Sequence, residues 1–280
     1  MTSSETLREP APLATANLQP PPPVVLTVAG SDSSAGAGIQ ADLKTFTACR
    51  VFGLTALTCV VAETPLRVLS VHPVPPEILE DQLSLLLGLY PVAAVKTGML
   101  LSAAHIRVAA RLLALQAAPL VVDPVMIASS GDALIEQEAL GALTSELLPL
   151  AALVTPNLDE AGVLLGARLE PDAGLDAAAA NLFAAIGRPI LLKGGHRTGA
   201  AVDVLADAAG IRRFSGPRIP GASTHGTGCT LSAAITAFLA RGASLDQAVA
   251  QGKEFVTQAL ARRHRWPGNL EALDQTTVTH

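Results

Sequence analysis

Lysine is scarce in this chain: Lys44, Lys96, Lys193 and Lys253 stand against fifteen arginines and 24 acidic residues, for a net charge of −5. That balance gives no basic face to follow a nucleic-acid backbone, so the partner expected is a small molecule. Cysteine is scarcer still. Cys49, Cys59 and Cys229 are scattered, with neither disulfide nor zinc spacing, which suits a reducing cytoplasm. Long apolar runs are missing too, although mean hydropathy is +0.42. The stretch Leu83 to Val95 is interrupted by Ser84, Gly88 and Pro91 and falls short of the roughly 18 residues a membrane helix needs. There is no G-x-x-x-x-G-K-[S/T], so a P-loop is excluded. Met1 to Pro23 lacks the basic start and apolar core of a secretory signal and ends in four prolines, so it reads as a disordered tail.

What is present is enough apolar sequence, 50% of 280 residues, for one large core. Val24 to Ala29 is a β-branched apolar run closed by Gly30, the pattern of a buried parallel strand. A loop of small residues, Gly30 to Gly38, leads into a helix over Ile39 to Ala48. Strands follow over Thr55 to Val61 and Val68 to Val71, then a helix from Pro75 to Leu89 with proline in its first turn. Ala94–Thr97, Leu120–Val122, Leu153–Val154 and Ile190–Leu192 read as further strands, separated by helices over Ser102–Gln116, up to Leu165, and Ala173–Ile186. Ala201–Leu205 and Ile211–Phe214 read as a hairpin, and the last helix runs from Leu245 to about Arg262. The alternation predicts a doubly wound α/β domain over 24–263, a mostly parallel central sheet with helices on both faces, and a polar C-terminal tail over 264–280.

In such sheets ligands bind beyond the carboxyl ends of the strands, and the polar clusters here fall after strands. The richest is Thr224-His225-Gly226-Thr227-Gly228-Cys229-Thr230, followed by an apolar helical run from Leu231 to Leu239. Its glycines let successive N–H groups turn inward, and the helix start adds unpaired donors and a positive dipole end, so a phosphate is the natural occupant. Cys229 falls in the first turn, where a thiol pKa lowered from about 8.5 is expected. Gly36-Ala37-Gly38-Ile39-Gln40-Ala41 matches the dinucleotide fingerprint, yet its glycines lie beyond the closing turn of the strand and no acid ends the second strand. Phosphoryl transfer accounts for more residues: donors from Gly226, Thr227, Gly228 and Cys229, a cation from Lys193, and oxygens from Asn157, Glu160 and Asp123 for a hydrated Mg²⁺.

The segments Ala29 to Phe46, Lys96 to Leu100, Asp123 to Met126, Thr155 to Ala161, Leu192 to His196 and Thr224 to Ala234 together resemble the hydroxymethylpyrimidine/phosphomethylpyrimidine kinases of thiamine biosynthesis. The resemblance implies a ribokinase-like fold, ATP and Mg²⁺, and two successive phosphorylations of 4-amino-5-hydroxymethyl-2-methylpyrimidine by a homodimer. It places Gly30, Asp42, Val61, Met99 and Val125 around the pyrimidine, Lys193, Asn157 and Thr155 at ATP phosphates, Asp123 and Glu160 at the metal, and Cys229 in the cradle. Two departures stand out. Glu63, in Ala62-Glu63-Thr64-Pro65, occupies the position where that family carries a ring-reading Gln, and Trp266 to Asn269 replaces the family's glycine- and histidine-containing C-terminal segment. A pyridoxine/pyridoxal kinase is the neighbouring alternative, and a ligand sensor without catalysis the alternative from another class.

Overall fold

The structure, a computed structural model, describes residues 20–126, 137–167, 169, 174–194, 200–222 and 225–276. The expected tail up to residue 19, and the expected contributions of Thr224, Gly195 and His196, lie outside the described residues.

Strand β1 (Val24–Ala29) is buried at every position, as its near-continuous apolar run, interrupted only by Thr27, requires. The loop after it leads to α1 (Gly38–Ala48) and then β2 (Phe52–Leu57). The single strand expected over Thr55 to Val61 is in fact two, because β2 ends before Thr58 and β3 (Cys59–Thr64) pairs antiparallel with β4 (Arg67–Pro73) in a separate two-stranded flap. Thr58 makes the break: its N–H donates to Ala29 O and its hydroxyl to Met99 O, so the chain leaves the sheet there.

Helix α2 (Pro76–Leu89) begins with proline at its first position, and β5 (Val92–Thr97) returns beside β1. Ser102 caps α3 (Ala103–Leu113), which precedes β6 (Leu120–Val122). The short α4 (Gln137–Ala142) continues as a π-turn over Leu143–Leu147 and a 3₁₀ turn over Leu148–Leu150 before β7 (Leu153–Val154), features with no signal in the sequence periodicity. Helix α5 (Leu158–Leu165) has a complete capping box between Asn157 and Glu160 and stops at left-handed Gly166. Then come α6 (Leu175–Ile186), β8 (Ile190–Lys193), the hairpin β9 (Ala201–Asp207) and β10 (Gly210–Gly216), α7 (Thr227–Ala240) and α8 (Leu245–Ala261).

The central sheet runs β10-β9-β8-β7-β6-β5-β1-β2, parallel from β2 through β8 and antiparallel at β9 and β10. One core cluster packs α2, α3, α5 and α6 against it, and the other packs α1, α7 and α8 on the opposite face. This is the doubly wound architecture expected.

The C-terminal segment departs from the expected polar tail. His264–Trp266 (β11) and Leu270–Ala272 (β12) form a hairpin, Leu273 is buried in the second core, and Gln275 donates to Thr230 of α7.

Candidate active site

The carboxyl ends of the parallel strands open into a cavity of about 520 Å³ that extends from the β3–β4 flap past β1, β5, β6 and β8 to β9 and α8. At the flap end it is lined by Gly30, Val61, Met99 and Val125, with Glu63 as the carboxylate among them. Ser33 fixes Glu63 from the backbone: Ser33 Oγ donates to Glu63 O at 2.7 Å and accepts from Glu63 N at 2.9 Å. Burial, reinforced by the charge of Asp32, pushes the Glu63 carboxyl up to about 7.

The start of α7 forms the middle of the cavity. Gly226 is left-handed (φ +78°), and a Cβ there would lie 1.9 Å from Gly36 O, so the two glycine loops touch backbone to backbone. No side chain caps α7, which leaves the first-turn amides of Gly228 and Cys229 without intrahelical acceptors. Asp123, Asn157, Glu160 and Lys193 line the same span. Lys193 Nζ donates to Asp123 Oδ1 at 2.8 Å and lies 3.9 Å from Glu160 Oε2. Asp123 also accepts from Thr155 and Ser232. Burial opposes its ionisation, but the Lys193 and Lys96 ammonium groups hold its carboxyl below the ordinary range. Glu160 is different. Burial, against the pull of Lys193 and with the push of Asp123, raises it to about 7.

Three expectations need correction. Asp42 does not line the cavity: it is fully buried behind Lys96, which donates to both its oxygens at 2.8 and 2.7 Å, while Thr27 donates at 2.6 Å. Lys96 takes the place on the cavity wall that the sequence reading gave to Asp42. Thr155 is buried as well and supports Asp123. The Cys229 thiol is pushed up to about 11 rather than lowered. Burial outweighs the Lys96 ammonium and the Gly38 amide that donates toward the sulfur, and Asp42 and Asp123 add to the push.

The far end holds residues that the sequence reading missed. Lys253 of α8 donates to Asp203 of β9 at 2.7 Å, and Asp203 accepts from Gly194 N at 3.0 Å. The only signal for Lys253 was its rarity, as one of four lysines. Asp32 and His225 were also missed: both are buried, and His225 Nε2 lies 2.9 Å from Asp32 Oδ2.

Among the described residues, no set of three or more His, Cys, Asp or Glu side chains is placed to hold a metal alone. The hard oxygens of Asp123, Glu160 and Asn157 fit Mg²⁺ held jointly with phosphates and water, its usual mode. Asp123 and Glu160 both lie near the ammonium of Lys193, and burial, with the charge of Asp123, keeps Glu160 raised despite it.

The sequence profile of phosphomethylpyrimidine kinase matches residues 32–271. The chain belongs to the phosphomethylpyrimidine kinase family. It is 47% identical over 238 residues to the thiamine biosynthesis bifunctional protein ThiED of Geobacter sulfurreducens, covering 84% of this chain and 49% of that protein, so it spans about half of that relative's length. It is 44% identical to the hydroxymethylpyrimidine/phosphomethylpyrimidine kinase of Streptomyces coelicolor, covering 90% of this chain and 94% of the relative. Among solved structures it resembles an ADP complex of Bacillus subtilis pyridoxal kinase, with a TM-score of 0.85 and 36% identity over 91% of this chain and 98% of that one. It also resembles the phosphomethylpyrimidine kinase of Clostridium difficile, with a TM-score of 0.74 and 36% identity over 85% and 99%. The ribokinase-like fold agrees with the sheet described above. No helix among the described residues is long and apolar enough to cross a membrane.

Proposed function

We propose that this chain transfers the γ-phosphoryl group of ATP to 4-amino-5-hydroxymethyl-2-methylpyrimidine and then to its monophosphate, in the cytoplasm, as a step of thiamine biosynthesis. The observation that carries the reading is the single cavity. It joins an apolar, carboxylate-bearing end at Val61, Glu63, Met99 and Val125 to a cation-flanked helix start at Lys193 and Gly228, and then to a far end at Asp203 and Lys253. A flat ring, a phosphoryl group in flight and a nucleoside need those three environments in that order.

In this reading Val61, Met99 and Val125 hold the faces of the ring, and Glu63 meets its polar edge. An ionised Glu63 only accepts, so it pairs with an exocyclic amine and a protonated ring nitrogen. A neutral one offers a donor and an acceptor, as an amide would. The amides of Gly228 and Cys229, with the positive end of α7, receive the charge of the transferring group. Lys193 offsets that charge from the side. Cys229 is mostly protonated at rest, and its thiolate form is the one that accepts the proton of the attacking hydroxyl as the new O–P bond forms, becoming the thiol. Asp123, Glu160 and Asn157, together with the phosphates, would hold Mg²⁺, which would supply charge neutralisation and alignment of the phosphoryl chain. Phe52 and Tyr90 stack 6.4 Å apart beside the free edge of β2 and are 50% and 41% exposed, which supports a homodimer as the working form.

A second reading, pyridoxal phosphorylation, draws on the likeness to pyridoxal kinases and on Glu63. A coupled assay of ADP release with hydroxymethylpyrimidine, its monophosphate and pyridoxal decides between them. Both pyrimidines are expected to turn over with kcat/KM above that of pyridoxal, and the reverse order would assign the enzyme to pyridoxal.

A further inference from the structure

The loop between β1 and α1 touches two parts of the site at once through three consecutive residues. Ser31 Oγ accepts from Val61 N at 3.3 Å and Ser33 brackets the backbone of Glu63, so both hydroxyls hold the ring-side strand β3. Between them Asp32 points the other way. Its Oδ1 accepts from Ser34 N and Oγ, both at 2.7 Å, and its Oδ2 from Gly36 N at 3.0 Å, Ala37 N at 2.7 Å and His225 Nε2 at 2.9 Å. The carboxylate is fully buried. Burial opposes its charge, yet the bonds from His225, Ser34 and Ala37 hold its carboxyl down to about 2. It stays ionised and can only accept, so His225 Nε2 carries the proton in this bond.

His225 is the residue before Gly226, the left-handed start of α7. Its ring packs against Gly36, where a Cβ would lie 2.8 Å from Cδ2, and Gly226 packs against Gly36 O. The position of the cradle amides is therefore set by backbone contact with the substrate loop, and Asp32 and His225 form the polar fastening across that contact. We propose that Asp32 and His225 are a positioning pair that fixes the phosphoryl-binding start of α7 relative to the ring-binding strand β3. Neither side chain needs to touch the reacting atoms: the pair acts through Gly226 on one side and through Ser31 and Ser33 on the other. Misplacing a reacting group by about 1 Å can cost roughly 10²-fold in rate, so a fastening at this contact is felt in kcat. The proposal rests on the kinase reading for its kinetic consequence but not for its structural one.

The test exploits side-chain geometry. A Gln amide nitrogen reaches about where His Nε2 sits, whereas an Asn amide nitrogen sits nearer the place of Nδ1 and falls short of Asp32. His225→Gln is expected to keep kcat within about threefold of wild type, while His225→Asn and Asp32→Asn lose tenfold or more in kcat with KM for the pyrimidine changed by less than about threefold. Hydrogen exchange on the ligand-free protein reads the fastening without any turnover. The amides of Gly36 and Ala37 are expected to exchange faster in Asp32→Asn, and the amides of 226–229 faster in His225→Asn than in His225→Gln. Equal kcat for the Asn and Gln variants of His225, or equal exchange, would overturn the positioning role. A wild-type protein that phosphorylates neither pyrimidine would overturn the kinase reading and leave the exchange arm to judge the pair.

Discussion

Gly228 on the first turn of α7 faces the ammonium of Lys193 so closely that a Cβ at that position would lie 3.1 Å from Nζ and 3.7 Å from Asp123 Oδ2. The ammonium has little room to retreat, because Asp123 holds it at 2.8 Å. The absence of a side chain at Gly228 thus lets a cation and a helix N-terminus converge on one anion.

Gly228→Ala is therefore expected to raise KM for ATP about tenfold, close to 1.4 kcal/mol, with kcat for the pyrimidine changed less. Melting temperature should move little, since α7 tolerates Ala better than Gly. An unchanged KM for ATP would place the triphosphate elsewhere.

Cys229→Ala is expected to lower kcat by about 10²–10⁴-fold, the usual effect of losing a positioned base. With the thiol at about 11, wild-type kcat should climb with pH, by up to tenfold per unit between about pH 7 and 9, as the thiolate fraction grows. Cys229→Ser should lose that slope, because serine does not titrate there. A flat wild-type profile while chemistry is rate-limiting, with near-normal Cys229→Ala turnover, would reduce the residue to packing.

Asp42→Asn tests the corrected position of Asp42. Removing one partner of a buried pair typically costs about 3–5 kcal/mol, because the Lys96 charge is left uncompensated, so melting should fall by roughly 10 °C. KM for the pyrimidine should hold within a few-fold in the protein that remains folded. A large rise in KM at unchanged stability would return Asp42 to the ring.

Glu63 supplies the pH prediction. Its folded carboxyl lies at about 7, above the ordinary 4.5. The native state therefore holds more protons than the unfolded state between those values, and the contribution of Glu63 to stability falls as pH rises through that window and levels off above it. Glu63→Gln should melt level with wild type near pH 5 and a few degrees higher near pH 8, the difference being modest for a half-buried group. Glu160 titrates in both proteins and cancels from the comparison. A constant difference across pH would mean that Glu63 faces water.

The sequence made the sheet legible because buried parallel strands are short apolar runs and the site lies where they end. It also showed the cradle, since glycine spacing before an apolar helix has few other uses. Among what escaped it, three cases have a clear physical reason. The break at Thr58 carries no turn residue: it is made by hydrogen bonds to Ala29 and Met99, which are distant in sequence. The withdrawal of Asp42 from the cavity depends on Lys96, 54 positions away, which the helical pattern around Asp42 cannot reveal. The thiol pKa of Cys229 was argued from one helix end alone, whereas burial and two neighbouring carboxylates decide it.

The strand order has a consequence for synthesis. β1 is buried at all of its positions, yet of its two neighbours only β2 follows it directly, and the other, β5, is made after the flap and α2. Until Val92–Thr97 leaves the ribosome, one edge of a mostly apolar strand stays unpaired, a template for contacts between nascent chains. From β5 onward each parallel strand through β8 adds beside the one before it, so the open edge of β1 is closed when β5 docks on it and each later edge is covered by the next strand made.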